Sequence, residues 1–192
     1  MPRIDYVRYD DAPPEIREAL DGSAYADSED RHLFYEMLAN VPSVFDRRVE
    51  YFGKLMGDGA VPKREKELAY LTVALVTETR FVAATHARYL VDDHDVVPET
   101  ITALAGGDYS GLSDREQAVV SFARAVVHDP DGVDDEKLAA LRMAGYDDGD
   151  IVELLLLTCE AQTATTIATV TGMALSDRGE TEPTYLPEEF AL

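Results

Sequence analysis

A histidine and a glutamate nineteen residues apart are the side chains of this sequence best suited to acid–base chemistry. His86 lies in FVAATHARYL, where small residues leave space around a larger polar side chain, and Glu67 lies in KREKELAYL. Two helices joined by a short turn pack antiparallel, which brings the carboxylate within hydrogen-bond reach of the imidazole, directly or through one water. The spacing therefore predicts a pair that moves a proton to or from a substrate.

The same pair also has a purely structural interpretation. A buried histidine that is held by Glu67 and a backbone carbonyl would join two helices without catalysing anything, because structural ion pairs also perturb pKa values. Glu65 competes with Glu67 for the inward position, and only the spacing to His86 favours Glu67. Both interpretations of the histidine, and both glutamates, stay open at this stage.

Arginines flank the histidine at positions 80 and 88. A carboxylate substrate needs such a cation, because the acidic surface otherwise repels anions. Arg80 is the better candidate, since it follows Thr79 directly. The alternative is that Arg80 and Arg88 pair with the abundant surface carboxylates, which is common for exposed arginines.

The composition excludes some partners. The 192 residues include 17 Lys and Arg against 38 Asp and Glu, which gives a formal net charge of −21. This charge argues against a nucleic-acid or anionic-membrane surface. The excess of Asp over Glu, and of Arg over Lys, is typical of proteins from a salt-rich cytoplasm. Molar salt shortens the Debye length to about 3 Å and hides self-repulsion, so we expect the protein to lose stability at low salt.

The cysteine content bears on both compartment and redox chemistry. Cys159 is the single cysteine, which excludes an internal disulfide and a Cys-x-x-Cys pair and indicates a reducing compartment. It lies in an apolar run and is expected to be a buried core residue. The start of the chain lacks a signal-peptide core, and Glu153 and Glu160 interrupt the longest apolar stretches, so we expect a cytoplasmic protein without a membrane span.

Helix start and stop signals recur along the chain, and no sustained strand alternation is present, so the fold is predicted to be all-α. A short N-terminal helix with an acidic loop (1–30), a helical domain (31–175) and a C-terminal arm (176–192) are the predicted parts. The predicted helices run from Pro14 toward Leu20, Arg31 to Ala39, Ser43 to Met56, Lys63 to Val76, Arg80 to Val91, Pro98 to Gly106, Ser113 to Val127, Asp134 to Gly145 and Asp150 to Leu175. The last helix is apolar on most sides, which predicts a central position or contact with another subunit.

Three segments between Leu33 and Leu175 carry a family resemblance over most of the chain. They are REKELAYLTVALVTETRFVAATHARYL, LSDREQAVVSFARAVV and the small-residue stretch that follows AGYDDGDIVELLLL. These segments resemble the carboxymuconolactone decarboxylase family, which includes the alkylhydroperoxidase D-like proteins. The resemblance implies a helical bundle that assembles into trimers or hexamers.

The resemblance also implies roles for individual residues. The peroxidase-type branch carries a Glu, then Cys-x-x-Cys, then a His after three more residues. Here the Glu is Glu67, the His is His86, and Thr79 and Val82 stand where the cysteines would be. Thiol peroxidase activity is disfavoured, because peroxide reduction needs a low-pKa thiolate and a second thiol to resolve it.

The decarboxylase-type branch resembles this chain better. It implies a cofactor-free lyase in which His86 is the acid/base, Glu67 orients it, and Thr79, Arg80 and Val82 border a pocket for a small carboxylate or lactone. No nucleotide, zinc or haem motif is present, so neither a cofactor nor a metal is expected. The alternative from a different class is an oligomeric scaffold that kept the fold and lost the chemistry.

Overall fold

The computed structural model describes residues 2–21, 33–57 and 59–191, and within these ranges it contains helices and no strand. The all-α fold class is therefore confirmed. The described α-helices are α1 (Pro14–Asp21), α2 (Leu33–Leu38), α3 (Pro42–Gly57), α4 (Lys63–Val76), α5 (Arg80–His94), α6 (Pro98–Ala105), α7 (Asp114–His128), α8 (Asp135–Met143) and α9 (Asp148–Thr171).

Side-chain caps begin three of the described helices, α7, α8 and α9. A capping box of Ser113 and Glu116 begins α7, where the sequence predicted a helix from Ser113. Helix α3 begins at Pro42, one residue before the start predicted at Ser43. Helix α9 ends at Thr171, before the predicted Leu175, because Gly172 adopts a left-handed conformation with φ 71° that stops the helix.

Helix α4 lies at the centre of the fold and packs against α5, α7 and α9. Leu68, Leu71, Val73 and Leu75 of α4 are all fully buried. A second, smaller apolar cluster joins α1, α2 and the first half of α3, and Phe52 packs against both clusters. The hairpin of α4 and α5, with α9 across it, is the frame that positions the candidate site.

Three consecutive charged residues at the start of α4 are buried, each toward a different neighbour. Glu65 contacts Arg115 and Tyr146. Lys66 donates from Nζ to the Leu55 carbonyl at 2.7 Å and forms an ion pair with Glu153. Glu67 faces α5. A helix that carries charge on three sides can be buried only because each charge meets a partner.

Helix α9 has an inward face and an outward face. Its outward face exposes Val152, Leu155, Leu156, Cys159, Thr163, Thr166 and Val170. By length and composition α9 is the one helix in the described ranges that could cross a membrane, and half of the relevant window packs inside the fold. The expectation that Cys159 is a core residue was wrong, because it lies on the outward face.

The terminal segments pack onto the helices. Arg3 donates from its backbone to the Thr171 carbonyl, and Ala191 donates to the Ala105 carbonyl. The predicted acidic loop up to Asp30 and the predicted helix start at Arg31 lie outside the described residues. The proposed division into 1–30, 31–175 and 176–192 stays a prediction.

Candidate active site

Glu67 and His86 meet across the α4–α5 hairpin. Glu67 Oε2 lies 2.5 Å from His86 Nδ1, and both side chains are buried. No second hydrogen bond to His86 occurs within the described part of the chain, so Nε2 is the ring atom left for another partner. The pairing that the spacing predicted is present, and Glu65 is not part of it.

Two aromatic rings fix the imidazole further. The Tyr70 ring stacks on His86 with 4.0 Å between centroids, and the Tyr89 ring approaches edge-on at 5.8 Å. Burial, with the nearby charge of Glu160 as the next cause, raises the pKa of Tyr70 well above its usual range. Tyr70 is therefore an uncharged aromatic side chain whose stacking fixes the plane of the His86 ring.

His86 lies on the wall of a small apolar cavity between α2, α3, α5 and α9. The cavity holds about 40 Å³, which is room for about three water molecules. Six of its thirteen lining residues are phenylalanines or tyrosines: Phe34, Tyr35, Phe52, Tyr70, Phe81 and Tyr89. Charges inside such a site interact strongly because little water screens them.

Arg48 and Glu160 form a second charged pair in the lining of the same cavity. Arg48 Nη2 on α3 lies 2.5 Å from Glu160 Oε1 on α9, and Glu160 is only 5% exposed. Burial raises the pKa of the Glu160 carboxyl above its usual value, and the Arg48 guanidinium opposes that shift without cancelling it. The sequence analysis missed both residues. The signal that could have found them was the carboxylate in an otherwise apolar helix.

The remaining predicted site residues are distributed over two places. Val82 lines the cavity beside His86. Thr79 is not among the lining residues, and its hydroxyl contacts those of Thr77 and Thr169 at 3.1 and 3.2 Å. Arg80 is also outside the lining.

Arg80 and Arg88 hold the C-terminal segment instead. Arg80 pairs with Glu182, donates to the carbonyls of Pro187 and Glu188 at 3.1 Å, and lies over the ring of Phe190. Arg88 pairs with Glu180. Both arginines therefore pair with carboxylates of the chain, which was the alternative to substrate binding.

A second cavity adjoins the first. It holds about 210 Å³ and is lined by charged side chains that include Arg88, Asp92 and Arg178. Phe81, Thr85 and Tyr89 line both cavities, so these three side chains form the wall between them. In residues 2–21, 33–57 and 59–191, no three His, Cys, Asp or Glu side chains are grouped so as to hold a metal ion.

Two solved structures share this arrangement of helices. A structure of an alkylhydroperoxidase AhpD core, an uncharacterized peroxidase-related protein from Ralstonia eutropha JMP134, has a TM-score of 0.76 and 21% identity over 90% of this chain and 91% of that chain. The fold is that of the AhpD core. An uncharacterized peroxidase-related protein from Silicibacter sp. TM1040 has a TM-score of 0.71 and 16% identity over 93% of this chain and 95% of that chain. No protein-family model and no curated protein sequence matches the chain.

The AhpD-core fold of this chain carries no thiol at the site. Thr79 lies just before α5 and outside the cavity lining, and Val82 lies on α5 within the lining. Cys159 is on the outward face of α9. The ionisable groups that line the cavity in the described part of the chain are Arg48, His86, Glu160 and three tyrosines. These groups can exchange protons and bind anions.

Proposed function

We propose that this protein is a cofactor-free enzyme that moves a proton on a small carboxylate or lactone, with His86 as the acid/base. The observation that carries the proposal is the Glu67–His86 hydrogen bond at the wall of a cavity. The substrate class, the lyase-type reaction and the catalytic role are inferred from this pair and from the resemblance described above.

Glu67 is the positioning residue of the pair. A carboxylate that accepts a hydrogen bond from Nδ1 fixes the tautomer of a histidine and leaves Nε2 to take up or release a proton. Stacking against Tyr70 holds the ring plane, so the position of Nε2 is constrained as well. A general base of this kind contributes about 10²- to 10⁴-fold to a rate.

Thiol peroxidase activity is the less favoured alternative. Both structural neighbours are described as peroxidase-related, but peroxide reduction needs a reactive thiolate and a resolving thiol. Thr79 and Val82 supply neither, and Cys159 faces away from the cavity. Loss of peroxide consumption in Cys159→Ser would restore this alternative.

A thermal-shift screen in molar KCl tests the proposed function. Small carboxylates and lactones are added to the wild type, to His86→Ala and to His128→Ala, an exposed histidine that serves as the control. A ligand at one hundred times its Kd stabilises the protein by about 2.7 kcal/mol. We expect a shift in the wild type and the control that is absent in a folded His86→Ala. Equal shifts in all three would contradict the proposal.

We also propose that copies of the chain associate through the outward face of α9. Val152, Leu156, Cys159, Thr163, Thr166 and Val170 follow one another at intervals of four and three residues, which is the spacing of a helix–helix seam. This face carries no charge on a chain of net charge −21, so two copies meet there without repulsion. The resemblance implies a trimer or hexamer, and the scaffold alternative would depend on the same face.

The mass of the particle in solution tests this association. We expect light scattering in molar KCl to give an oligomer for the wild type and a smaller species for Leu156→Glu. Met143→Glu is the matched control, because Met143 is a highly exposed apolar residue on α8. A monomeric wild type, or equal effects of both substitutions, would contradict the proposed interface.

A further inference from the structure

We propose that Glu160 is a second proton-exchanging group of the cavity and that it donates a proton to the substrate while His86 removes one. This inference rests on the proposed function. It assigns the α9 side of the cavity to a carboxylic acid and the α5 side to the imidazole. The substrate class that suits two such groups is an uncharged or singly charged molecule with a C–H bond that is acidic because it is adjacent to a carbonyl. An unsaturated lactone is an example.

The position of Glu160 is the first argument. Its side chain is 5% exposed and lines the same cavity as His86, but it reaches the cavity from a different helix. A substrate in the cavity therefore contacts the two groups at separate positions. Such a separation lets one group remove a proton from one atom while the other group delivers a proton to a different atom.

The contacts of Glu160 are the second argument. Its buried Oε1 forms an ion pair with Arg48 Nη2 without the geometry of a hydrogen bond, and no other ion pair of Glu160 occurs in the described part of the chain. Buried Arg48 Nε and Nη2 also lack hydrogen bonds. Two other buried carboxylates, both outside the cavity, are hydrogen-bonded: Glu65 accepts from Arg115 and Tyr146, and Glu116 accepts from Ser113 and Arg64. Glu160 keeps unused hydrogen-bonding capacity inside an apolar cavity.

The charges around Glu160 set its proton affinity. The titratable groups whose charges act on or with Glu160 are Arg48 and Tyr51 from α3 and Tyr70 from α4, and the same cavity is lined by Tyr35 from α2 and by His86 and Tyr89 from α5. Arg48 is the single permanent cation of the described cavity lining. Burial disfavours the carboxylate more than Arg48 favours it, so the pKa of Glu160 is raised. A raised pKa suits a general acid.

The proposed step balances on α-angelica lactone, a five-membered lactone whose isomerisation only relocates a proton. His86 Nε2 takes the proton from C3, and the C–H electron pair enters the ring as a dienolate. Glu160 then donates its proton to C5, a new C–H bond forms, and the double bond moves into conjugation with the carbonyl. Protonated His86 and ionised Glu160 return to their starting forms by proton exchange with water.

The experiment measures isomerisation of α-angelica lactone by absorbance of the conjugated product. The proteins are the wild type, His86→Gln, Glu160→Gln and Glu50→Gln, an exposed carboxylate control. Loss of a general acid or base lowers a rate by about 10²- to 10⁴-fold. We expect rate losses of this size in His86→Gln and Glu160→Gln and none in Glu50→Gln. In Glu160→Gln, kcat should change more than KM.

The outcomes separate this inference from the proposed function. A loss in His86→Gln with an unchanged Glu160→Gln overturns the inference and leaves the proposed function standing. A wild type no faster than buffer, or an active His86→Gln, overturns both for lactone substrates. The expected pattern is a loss in both variants.

Arg48→Met supplies a second test that does not need Glu160 to be replaced. Glu160 acts in its protonated form, so the rate falls as pH rises through its pKa. Removal of the neighbouring cation raises that pKa, and the falling limb of the pH–rate profile moves up by about one pH unit. Arg47→Met is the control, because Arg47 is exposed and pairs with Glu50. An unmoved limb in Arg48→Met overturns the inference.

Discussion

Glu67 Oε2 and His86 Nδ1 lie 2.5 Å apart although nineteen residues separate them in the chain. The short connection between α4 and α5 folds the two helices into a hairpin, and the small residues around His86 let the helices approach. Because Nδ1 is hydrogen-bonded to Glu67, Nε2 is the ring nitrogen that remains for another partner. His86 also lines the cavity, and the proposed function depends on this orientation of the ring.

Replacement of Glu67 by glutamine is expected to lower turnover while the protein stays folded. A glutamine amide can donate to Nδ1 and so favours the tautomer with the proton on Nε2, which cannot accept another. The comparable change in a histidine-based catalytic triad lowers the rate by about 10⁴-fold. Isomerisation of α-angelica lactone and the melting temperature are measured together. Glu65→Gln is the control, and an equal loss of turnover in it would point to misfolding.

Replacement of Arg80 by methionine is expected to release the C-terminal segment and to leave ligand binding intact. Arg80 contacts Glu182, two backbone carbonyls and the Phe190 ring, and none of these lies in the cavity lining. Limited proteolysis with chymotrypsin should cut after Tyr185 faster in Arg80→Met than in the wild type. Loss of ligand binding without faster cleavage would restore the sequence-based prediction that Arg80 binds substrate.

The pH dependence of stability should carry the signature of Glu160. Its folded-state pKa is raised, so its contribution to stability is complete below the unfolded pKa and is lost as pH rises through the folded one. Glu160→Gln should therefore become more stable relative to the wild type as pH rises from 4.5. Urea unfolding in molar KCl at several pH values measures this difference. Glu50→Gln should give a flat difference above pH 4.5, because Lys54 and Arg47 lower the pKa of Glu50 and its contribution to stability changes only below that pH. A flat difference for Glu160→Gln would contradict the raised pKa.

The melting temperature should rise with KCl concentration up to the molar range. At a net charge of −21, self-repulsion destabilises the compact state, and salt screens it. Exposed ion pairs weaken with salt, but each contributes little. A melting temperature that does not change with KCl would contradict the halophilic interpretation of the composition.

Local signals made much of the fold predictable from the sequence. Capping residues, prolines and glycines placed the helices, as the box of Ser113 and Glu116 illustrates. The Glu67–His86 contact was also within reach, because a short turn between two helices constrains which residues meet. Helix ends were less accessible, since Gly172 stops α9 before its apolar pattern fades.

Contacts between distant segments could not be predicted in the same way. Arg48 and Glu160 are 112 positions apart, and no local spacing joins them. Arg80 looked available for a substrate because nothing in its own helix showed that the C-terminal segment would reach it. Cys159 was misplaced because an apolar helix with two unlike faces gives no sign of which one turns outward.

The protonation state of the His86 ring tests the central claim most directly. Long-range ¹⁵N–¹H spectra of ¹⁵N-histidine-labelled protein in molar KCl, with His86→Gln used for assignment, report which ring nitrogen holds the proton. The account predicts that neutral His86 carries its proton on Nδ1, the nitrogen that meets Glu67. A neutral His86 with its proton on Nε2 would contradict the account, because Nε2 could then not act as a base.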